Sequence, residues 1–217
     1  MNLVPYRVRW WLRCRASELV LPMAIRELHR AQRLPPARGA LARLRFGWNN
    51  DSFVADVDYL HAIAAAASPQ QGNILECGSG LSTIVLAAVA KGAQVWTLEH
   101  SREWLEKLQD TLRRHGLAGR VQLRHAPLKS YGEFSWYQPP ADLPANFSLV
   151  VCDGPPAVST PGGRYGLLPV MHERIRGAQV LLDDAQRAEE QQAIALWRER
   201  YGVEVQSPGE FCCLRVH

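Results

Sequence analysis

No stretch of the 217-residue chain reaches the roughly 18 consecutive apolar residues that a membrane-spanning helix needs. The best N-terminal candidate, residues 16–25, is broken by Glu18 and Pro22, and no small-residue cleavage site follows it, so a cleaved signal peptide is not expected. The five cysteines (Cys14, Cys77, Cys152, Cys212 and Cys213) form neither a Cys-x-x-Cys pair nor an even disulfide framework. Cys77 and Cys152 sit inside apolar, strand-like runs, which points to reduced, buried thiols in a cytoplasmic protein. The seven histidines show no metal-ligand spacing, there is no Gly-x-Ser-x-Gly nucleophile elbow, and no internal repeat is found. These absences set aside a membrane protein, a disulfide scaffold, a zinc site, a serine hydrolase and a solenoid.

With 47% hydrophobic and 21% charged residues, the chain has the composition of one globular domain with a short extension. Its net charge of +4 is unevenly placed. Residues 1–45 hold ten arginines against Glu18 and Glu27, a balance of +8, whereas residues 46–217 hold 15 basic and 19 acidic side chains, a balance of −4. Residues 6–33 read as helix in two pieces separated at Pro22, with Arg7, Arg9, Arg13 and Arg15 interleaved with Trp10, Trp11 and Leu12. A second short basic helix is expected over 41–46. We therefore divide the chain into a basic helical extension, 1–47, and a domain, 48–217. The expected task of the extension is to pack its apolar face on the domain or on a second subunit of a homodimer, leaving the arginines solvated. Peripheral attachment to an anionic membrane, or to nucleic acid, is the alternative.

From residue 53 the pattern alternates. A helix over 53–67 is followed by apolar, β-branched runs at 73–77, 94–98, 121–124, 149–152 and 179–182, separated by helices near 81–91, 101–115, 165–176 and 186–200. Near-continuous apolar strands alternating with helices predict a parallel sheet covered on both faces. The last two runs, 203–205 and 211–216, are joined by a link too short for a parallel crossover, so they predict an antiparallel hairpin at the sheet edge.

The first strand runs directly into Glu76-Cys77-Gly78-Ser79-Gly80, and the second ends at Glu99, 19 residues beyond Gly80. In doubly wound folds the glycine turn lets a ligand approach the backbone, and the acid at the second strand end bonds ribose hydroxyls. The third glycine of the dinucleotide fingerprint is Thr83 here, and no Gly-Lys-Ser/Thr ending is present to cradle a triphosphate. A carboxylate directly before the turn, Glu76, suits a cationic nucleoside such as S-adenosylmethionine better than a phosphate.

These residues, Leu75 to Gly80 followed by Leu98-Glu99, resemble motif I and the post-I acid of the S-adenosylmethionine-dependent methyltransferases with a Rossmann-like fold. The resemblance covers residues 50–217. It implies an α/β three-layer sandwich around a mostly parallel seven-stranded sheet of order 3-2-1-4-5-7-6 with an antiparallel C-terminal hairpin. It also implies that Gly78, Ser79 and Gly80 pass under the methionine moiety of the cofactor, that Glu76 holds its amino end and that Glu99 holds the ribose. The family contacts adenine at the turn 125–127, where Ala126 supplies no acid, so that contact would run through backbone.

The fourth strand ends at Asp153 and the fifth at Asp183-Asp184. Neighbouring strands bring such acids together, and three of them repel unless a proton or a cation intervenes. The pattern is similar to that of metal-dependent O-methyltransferases, which implies that Asp153, Asp183 and Asp184 hold Mg²⁺ or Mn²⁺ against an acceptor hydroxyl. The catechol-type general-base lysine is replaced by Pro156, leaving His100, His172 and Asp153 as candidate catalytic groups. Competing structural readings make Asp184 the N-cap of a helix near Ala185, Asp153 a turn initiator, and Asn50 or Asp51 the cap of the first domain helix. Arg164 or Tyr165, beyond the Pro/Gly-rich 154–163 segment, and Trp48-Asn49 are candidates for the acceptor contact and the lid. The expected function is methylation of a hydroxyl on a small molecule, lipid or sugar. The alternatives are an RNA or protein methyltransferase, or a non-catalytic binding module that keeps the fold. A nucleic-acid acceptor is not favoured, since the turn reads Asp153-Gly154-Pro155-Pro156 instead of the Asn-Pro-Pro-aromatic signature of amino-group methylation. A nicotinamide oxidoreductase is disfavoured by Thr83 and the terminal hairpin.

Overall fold

The computed structural model describes residues 6–31, 34–49, 54–207 and 209–217. Two helices, α1 (Tyr6–Arg30) and α2 (Arg38–Trp48), precede α3 (Val57–Ala67). Then come β1 (Asn73–Cys77), α4 (Leu81–Val89), β2 (Gln94–Glu99), α5 (Arg102–Arg114) and β3 (Val121–His125). A short pair follows, β4 (Leu128–Ser130) and β5 (Ser135–Tyr137). The chain closes with β6 (Leu149–Cys152), α6 (Leu167–Ile175), β7 (Gln179–Leu182), α7 (Ala188–Tyr201), β8 (Glu204–Ser207) and β9 (Cys212–Arg215).

Seven strands form one sheet of order β3-β2-β1-β6-β7-β9-β8. Its first five strands are parallel, while β9 runs antiparallel to both β7 and β8, with a register shift between Val205 and Ser207. This is the expected order, with the terminal hairpin at the edge. Alternation along each strand sends side chains to two faces. Ile74, Val95, Val151 and Leu181 join one buried cluster with α3, α4 and α5, whereas Leu75, Leu98, Val150 and Val180 join another with α6 and α7. All nine residues of α4 are buried, as suits a helix enclosed on every side.

Several elements depart from the sequence reading. α1 runs unbroken through Pro22. The proline removes one helical hydrogen bond, but Ala24, Ile25 and Leu28 beyond it are buried in the same cluster as Leu41 and Leu44 of α2 and Ile63 of α3, and that packing holds the helix together. α2 extends two residues beyond Phe46, to Trp48. α3 starts at Val57, capped by Asp56, which accepts from the Asp58 amide at 2.9 Å; Asn50, Asp51 and Phe53 lie outside the described residues. The β4–β5 hairpin was not expected, because three-residue strands carry too little periodicity to read. α6 begins at Leu167, after a 3₁₀ turn over Gly163–Gly166. Among the described residues no helix is long and apolar enough to cross a membrane.

The two faces of α1 make opposite predictions. Leu28→Ala should destabilise the fold by about 2–5 kcal/mol in urea unfolding, since Leu28 is fully buried. Leu19→Ala should change stability by less than about 0.5 kcal/mol, since Leu19 is 72% exposed. Similar losses for both variants would mean that the helix packs through its other side.

Candidate functional site

The carboxyl ends of β1, β2, β6 and β7 open onto one cavity of about 560 Å³, lined by Gly78, Ser79, Glu99, His100, Trp104, Tyr137, Asp153, Gly154, Arg164, Asp183 and Asp184 among others. A larger cavity of about 620 Å³ is lined in part by the 157–165 segment and, of the residues singled out in the sequence, includes Tyr165 but none of the glycine-turn residues or strand-end acids. The chemistry therefore belongs to the first.

The glycine turn fixes its floor. Gly78 has φ +86°, and a Cβ there would meet the Asp153 backbone at 3.0 Å, so β1 and β6 approach too closely for any side chain. A Cβ on Gly80, in contrast, would meet nothing within 4 Å. Beneath the turn Glu76 is fully buried. Its Oε2 accepts from Thr83 Oγ1 and Thr97 Oγ1, each at 2.7 Å, and Thr83 Oγ1 in turn accepts from the Gly80 amide at 3.0 Å. Oε1 has no hydrogen-bond partner among the described residues. Burial raises the carboxyl to about 7, against the lowering effect of the Thr97, Ser82 and Thr83 hydroxyls. Thr83, which replaces the dinucleotide glycine, thus ties Glu76 to the turn.

Glu99 is only 4% exposed and accepts three hydrogen bonds. Oε2 accepts from the Ser79 amide (3.1 Å) and hydroxyl (2.7 Å), and Oε1 from the Ser101 amide (2.7 Å), with His100 Nδ1 at 3.1 Å. Desolvation works to raise its pKa, but these bonds outweigh it and the net shift is downward. Trp104 donates from Nε1 to the Ser79 carbonyl at 2.8 Å and receives the edge of Trp48 at 5.9 Å between centroids. Trp48 thereby backs the cavity wall, while the Asn49 side chain turns to Cys14 Sγ. Ala126 does not line the cavity, and its amide is committed to the Glu99 carbonyl at 2.8 Å.

Asp153, Asp183 and Asp184 do converge, offering oxygens within 4.8 Å of one another. What neutralises them is Arg164, which the sequence reading had pointed at an acceptor. It is 4% exposed, with Nη2 donating to Asp153 Oδ1 (2.8 Å) and Asp184 Oδ2 (2.9 Å) and Nη1 to Glu190 Oε1 (2.7 Å) and the Asp183 carbonyl (3.2 Å). Asp184 Oδ1 also meets Arg187 at 2.8 Å. Asp184 is not a helix cap: it has φ +52°, and α7 starts at Ala188 after Arg187. The Asp183 carboxylate has no side-chain partner among the described residues. Desolvation, then Asp153 and Asp184, push it to about 7. Desolvation also raises Asp153, with Arg164 opposing.

His100 is in the cavity wall, but His172 is not brought to it: α6 turns His172 toward Tyr201 of α7, 5.0 Å between ring centroids. Tyr165 likewise faces the larger cavity and accepts from Arg200 at 2.8 Å. The sequence reading missed Tyr137, a fully buried side chain whose hydroxyl lacks a partner among the described residues and abuts Gly154. The run Ser135-Trp136-Tyr137 after Gly132 was the available signal.

No family model matches the chain. It is 36% identical over 80 residues to ribosomal RNA small subunit methyltransferase A of Cupriavidus taiwanensis, a match that covers 36% of this chain and spans about a quarter (27%) of that protein. Among solved structures it is similar to a SAM-dependent O-methyltransferase from Thermotoga maritima (TM-score 0.59, 14% identity, covering 83% of this chain and 71% of the other). It is similar also to the O-methyltransferase from Bacillus cereus in complex with SAH (TM-score 0.56, 17% identity, 93% and 100% covered). The chain has the Rossmann-like fold of the S-adenosylmethionine-dependent methyltransferases.

Two predictions follow the buried charges. Between pH 4.5 and 7 the folded protein keeps a proton on Glu76 that the unfolded chain has released. Stability from this group is therefore complete below pH 4.5 and lost as pH rises to 7, by about 3 kcal/mol. Glu76→Gln should remove that part of the slope in urea titrations from pH 5 to 8; an unchanged slope would show that Glu76 is ionised throughout. Arg164→Met, which removes the cation shared by Asp153, Asp184 and Glu190, should destabilise the fold at pH 8 by about 3–5 kcal/mol, and by clearly less at pH 5.

Proposed function

We propose that the protein is an S-adenosylmethionine-dependent methyltransferase acting on a hydroxyl of a small molecule, lipid or sugar. The observation that carries the cofactor is the buried Glu76 oxygen without a partner, set under a glycine turn one strand away from Glu99. An ammonium group is the ligand that such an oxygen suits. Glu76 would receive the amino end, and Gly78 to Gly80 would pass beneath the methionine moiety. The Ser79 hydroxyl, now on Glu99, is the donor that a ribose hydroxyl would replace. Bound there, S-adenosylmethionine supplies an electrophilic methyl group.

The acceptor side rests on the carboxylates. Asp183, raised to about 7 and free of a side-chain partner, is suited to take the proton of an acceptor hydroxyl at neutral pH. Arg164 holds Asp153 and Asp184 in place so that the base stands at a fixed position. Tyr137 and Gly154 close the cavity next to it. The donor set also fits a hard divalent cation, Mg²⁺ or Mn²⁺, held by Asp183 and the second oxygen of Asp153; Asp184 could join once Arg187, which is 54% exposed, released it. Such an ion would supply Lewis acidity to the acceptor hydroxyl. A nucleic-acid acceptor is the second reading, supported by the 80-residue likeness to the ribosomal RNA methyltransferase.

Calorimetry should detect binding of S-adenosylmethionine and none of NAD, with affinity rising from pH 6 to 8 as Glu76 gives up its proton, and Glu76→Gln should weaken it about tenfold or more. Binding of NAD instead would overturn the reading. In methyl transfer to a panel of hydroxyl compounds and structured RNA, Asp183→Asn should lower kcat by about 100-fold or more; transfer confined to RNA would favour the second reading.

A further inference from the structure

At about 1.5 Å per residue, the 25-residue α1 is about 37 Å long, and it is buried along only part of that length. Ser17, Ala24, Ile25 and Leu28 face the domain, whereas residues 8–13 are all exposed. The outward side carries an apolar stripe. Val8, Leu12, Leu19 and Met23 fall at spacings of four, seven and four, which places them on one side of a helix, and Leu19 and Met23 are 72% and 67% exposed. Trp10 and Trp11 are more than half exposed in the same end. Water-facing stripes of this kind are uncommon on a folded surface unless something covers them.

The surroundings of the stripe are cationic. Arg9, Arg26 and Arg30 have no acidic partner among the described residues, and Arg26, Arg30, Arg43 and Met23 border a groove of about 410 Å³. The two acids of the segment are already matched, Glu18 with Arg15 and Glu27 with Arg43. An aliphatic stripe with arginines beside it and Trp11 at its margin matches the layered chemistry of an anionic bilayer surface. Hydrocarbon accepts the leucines, the interface accepts indole rings, and phosphate headgroups accept guanidinium groups. A second copy of this chain would set the same arginines against each other, a like-charge contact without acids to relieve it. Nucleic acid would satisfy the arginines but offers its backbone little apolar surface to cover Leu19 and Met23.

We propose that α1 docks the protein on an anionic phospholipid surface, lying in the interface with Val8, Leu12, Leu19 and Met23 inserted and its arginines on the headgroups. This rests on the surface of α1 alone and is independent of the methyltransferase reading. α2, which packs along α1, ends at Trp48 against the Trp104 wall of the cavity, so docking would hold that wall beside the helix that lies on the surface.

Cosedimentation of the full chain with vesicles tests it. The protein should bind vesicles of phosphatidylcholine containing about one-third phosphatidylglycerol at least about tenfold more tightly than phosphatidylcholine alone, and lose most of that difference in 0.5 M NaCl. Leu19→Glu with Met23→Glu, and separately Arg26→Glu with Arg30→Glu, should each reduce binding about tenfold or more with unchanged melting temperature, because these side chains are exposed. A fluorescence blue shift on binding, lost in Trp11→Phe, should place Trp11 in the interface. The proposal is overturned if anionic vesicles are not bound, if both vesicle types bind equally, or if the two charge variants bind like the parent. It is equally overturned if Leu19→Glu converts a dimer to a monomer in sedimentation velocity while vesicles are ignored, or if RNA is bound in their place.

Discussion

The arrangement at the sheet's carboxyl edge depends on one guanidinium. Parallel register sets Cys152 beside Leu182, so the residues that follow, Asp153, Asp183 and Asp184, leave adjacent strands together. Left alone, three carboxylates at that spacing, with Glu190 behind them, would repel by several kcal/mol in a poorly solvated site. Arg164 reaches three of these four carboxylates through two nitrogens, Asp153 and Asp184 from one and Glu190 from the other, which also meets the Asp183 main-chain oxygen. In doing so it ties the ends of β6 and β7 to α7 and to the turn before α6. The proline- and glycine-rich segment between β6 and α6 is thus a device for delivering a buried cation, and the site it stabilises still keeps one carboxylate, Asp183, without a side-chain partner among the described residues.

A second arrangement of the same kind sits under the glycine turn. Thr83 accepts from Gly80 and donates to Glu76, and Thr97 from the next strand completes the set. The carboxylate is held half-satisfied, neutral or charged according to pH and ligand. Both buried clusters contain polar atoms without a hydrogen-bond partner among the described residues, Glu76 Oε1 in one and Arg164 Nε and Glu190 Oε2 in the other, and both lie at the ends of parallel strands, where open sheets bind ligands.

How much of this was legible in the sequence varied with the range of the interaction responsible. The alternation of apolar strands with helices, the Gly-x-Gly turn, Glu99 and the terminal hairpin are local patterns, and the sheet order follows from the family resemblance they carry. The acids Asp153, Asp183 and Asp184 were legible as strand ends, but what balances them was not, because the contact joins Arg164 to Glu190 across 26 positions. The N-cap reading of Asp184 failed for the same reason: its side chain serves Arg164 and Arg187, so the helix begins later. Tyr137 was hidden in a strand of three residues. The unbroken α1 shows the limit of a single proline as punctuation when both flanks are packed, and its exposed half shows why charge alone did not settle what the extension does.

The hairpin that closes the sheet has a consequence for the protein in crowded solution. β8 is the outermost strand, only four residues long, and its pairing slips between Val205 and Ser207. An irregular, short border with the exposed Glu204 at its start gives an incoming strand no continuous ladder to extend. The β-branched and aliphatic runs that make the centre of this sheet would be sticky templates at a bare edge, so the hairpin of β8 and β9 also acts as a guard against strand-by-strand aggregation.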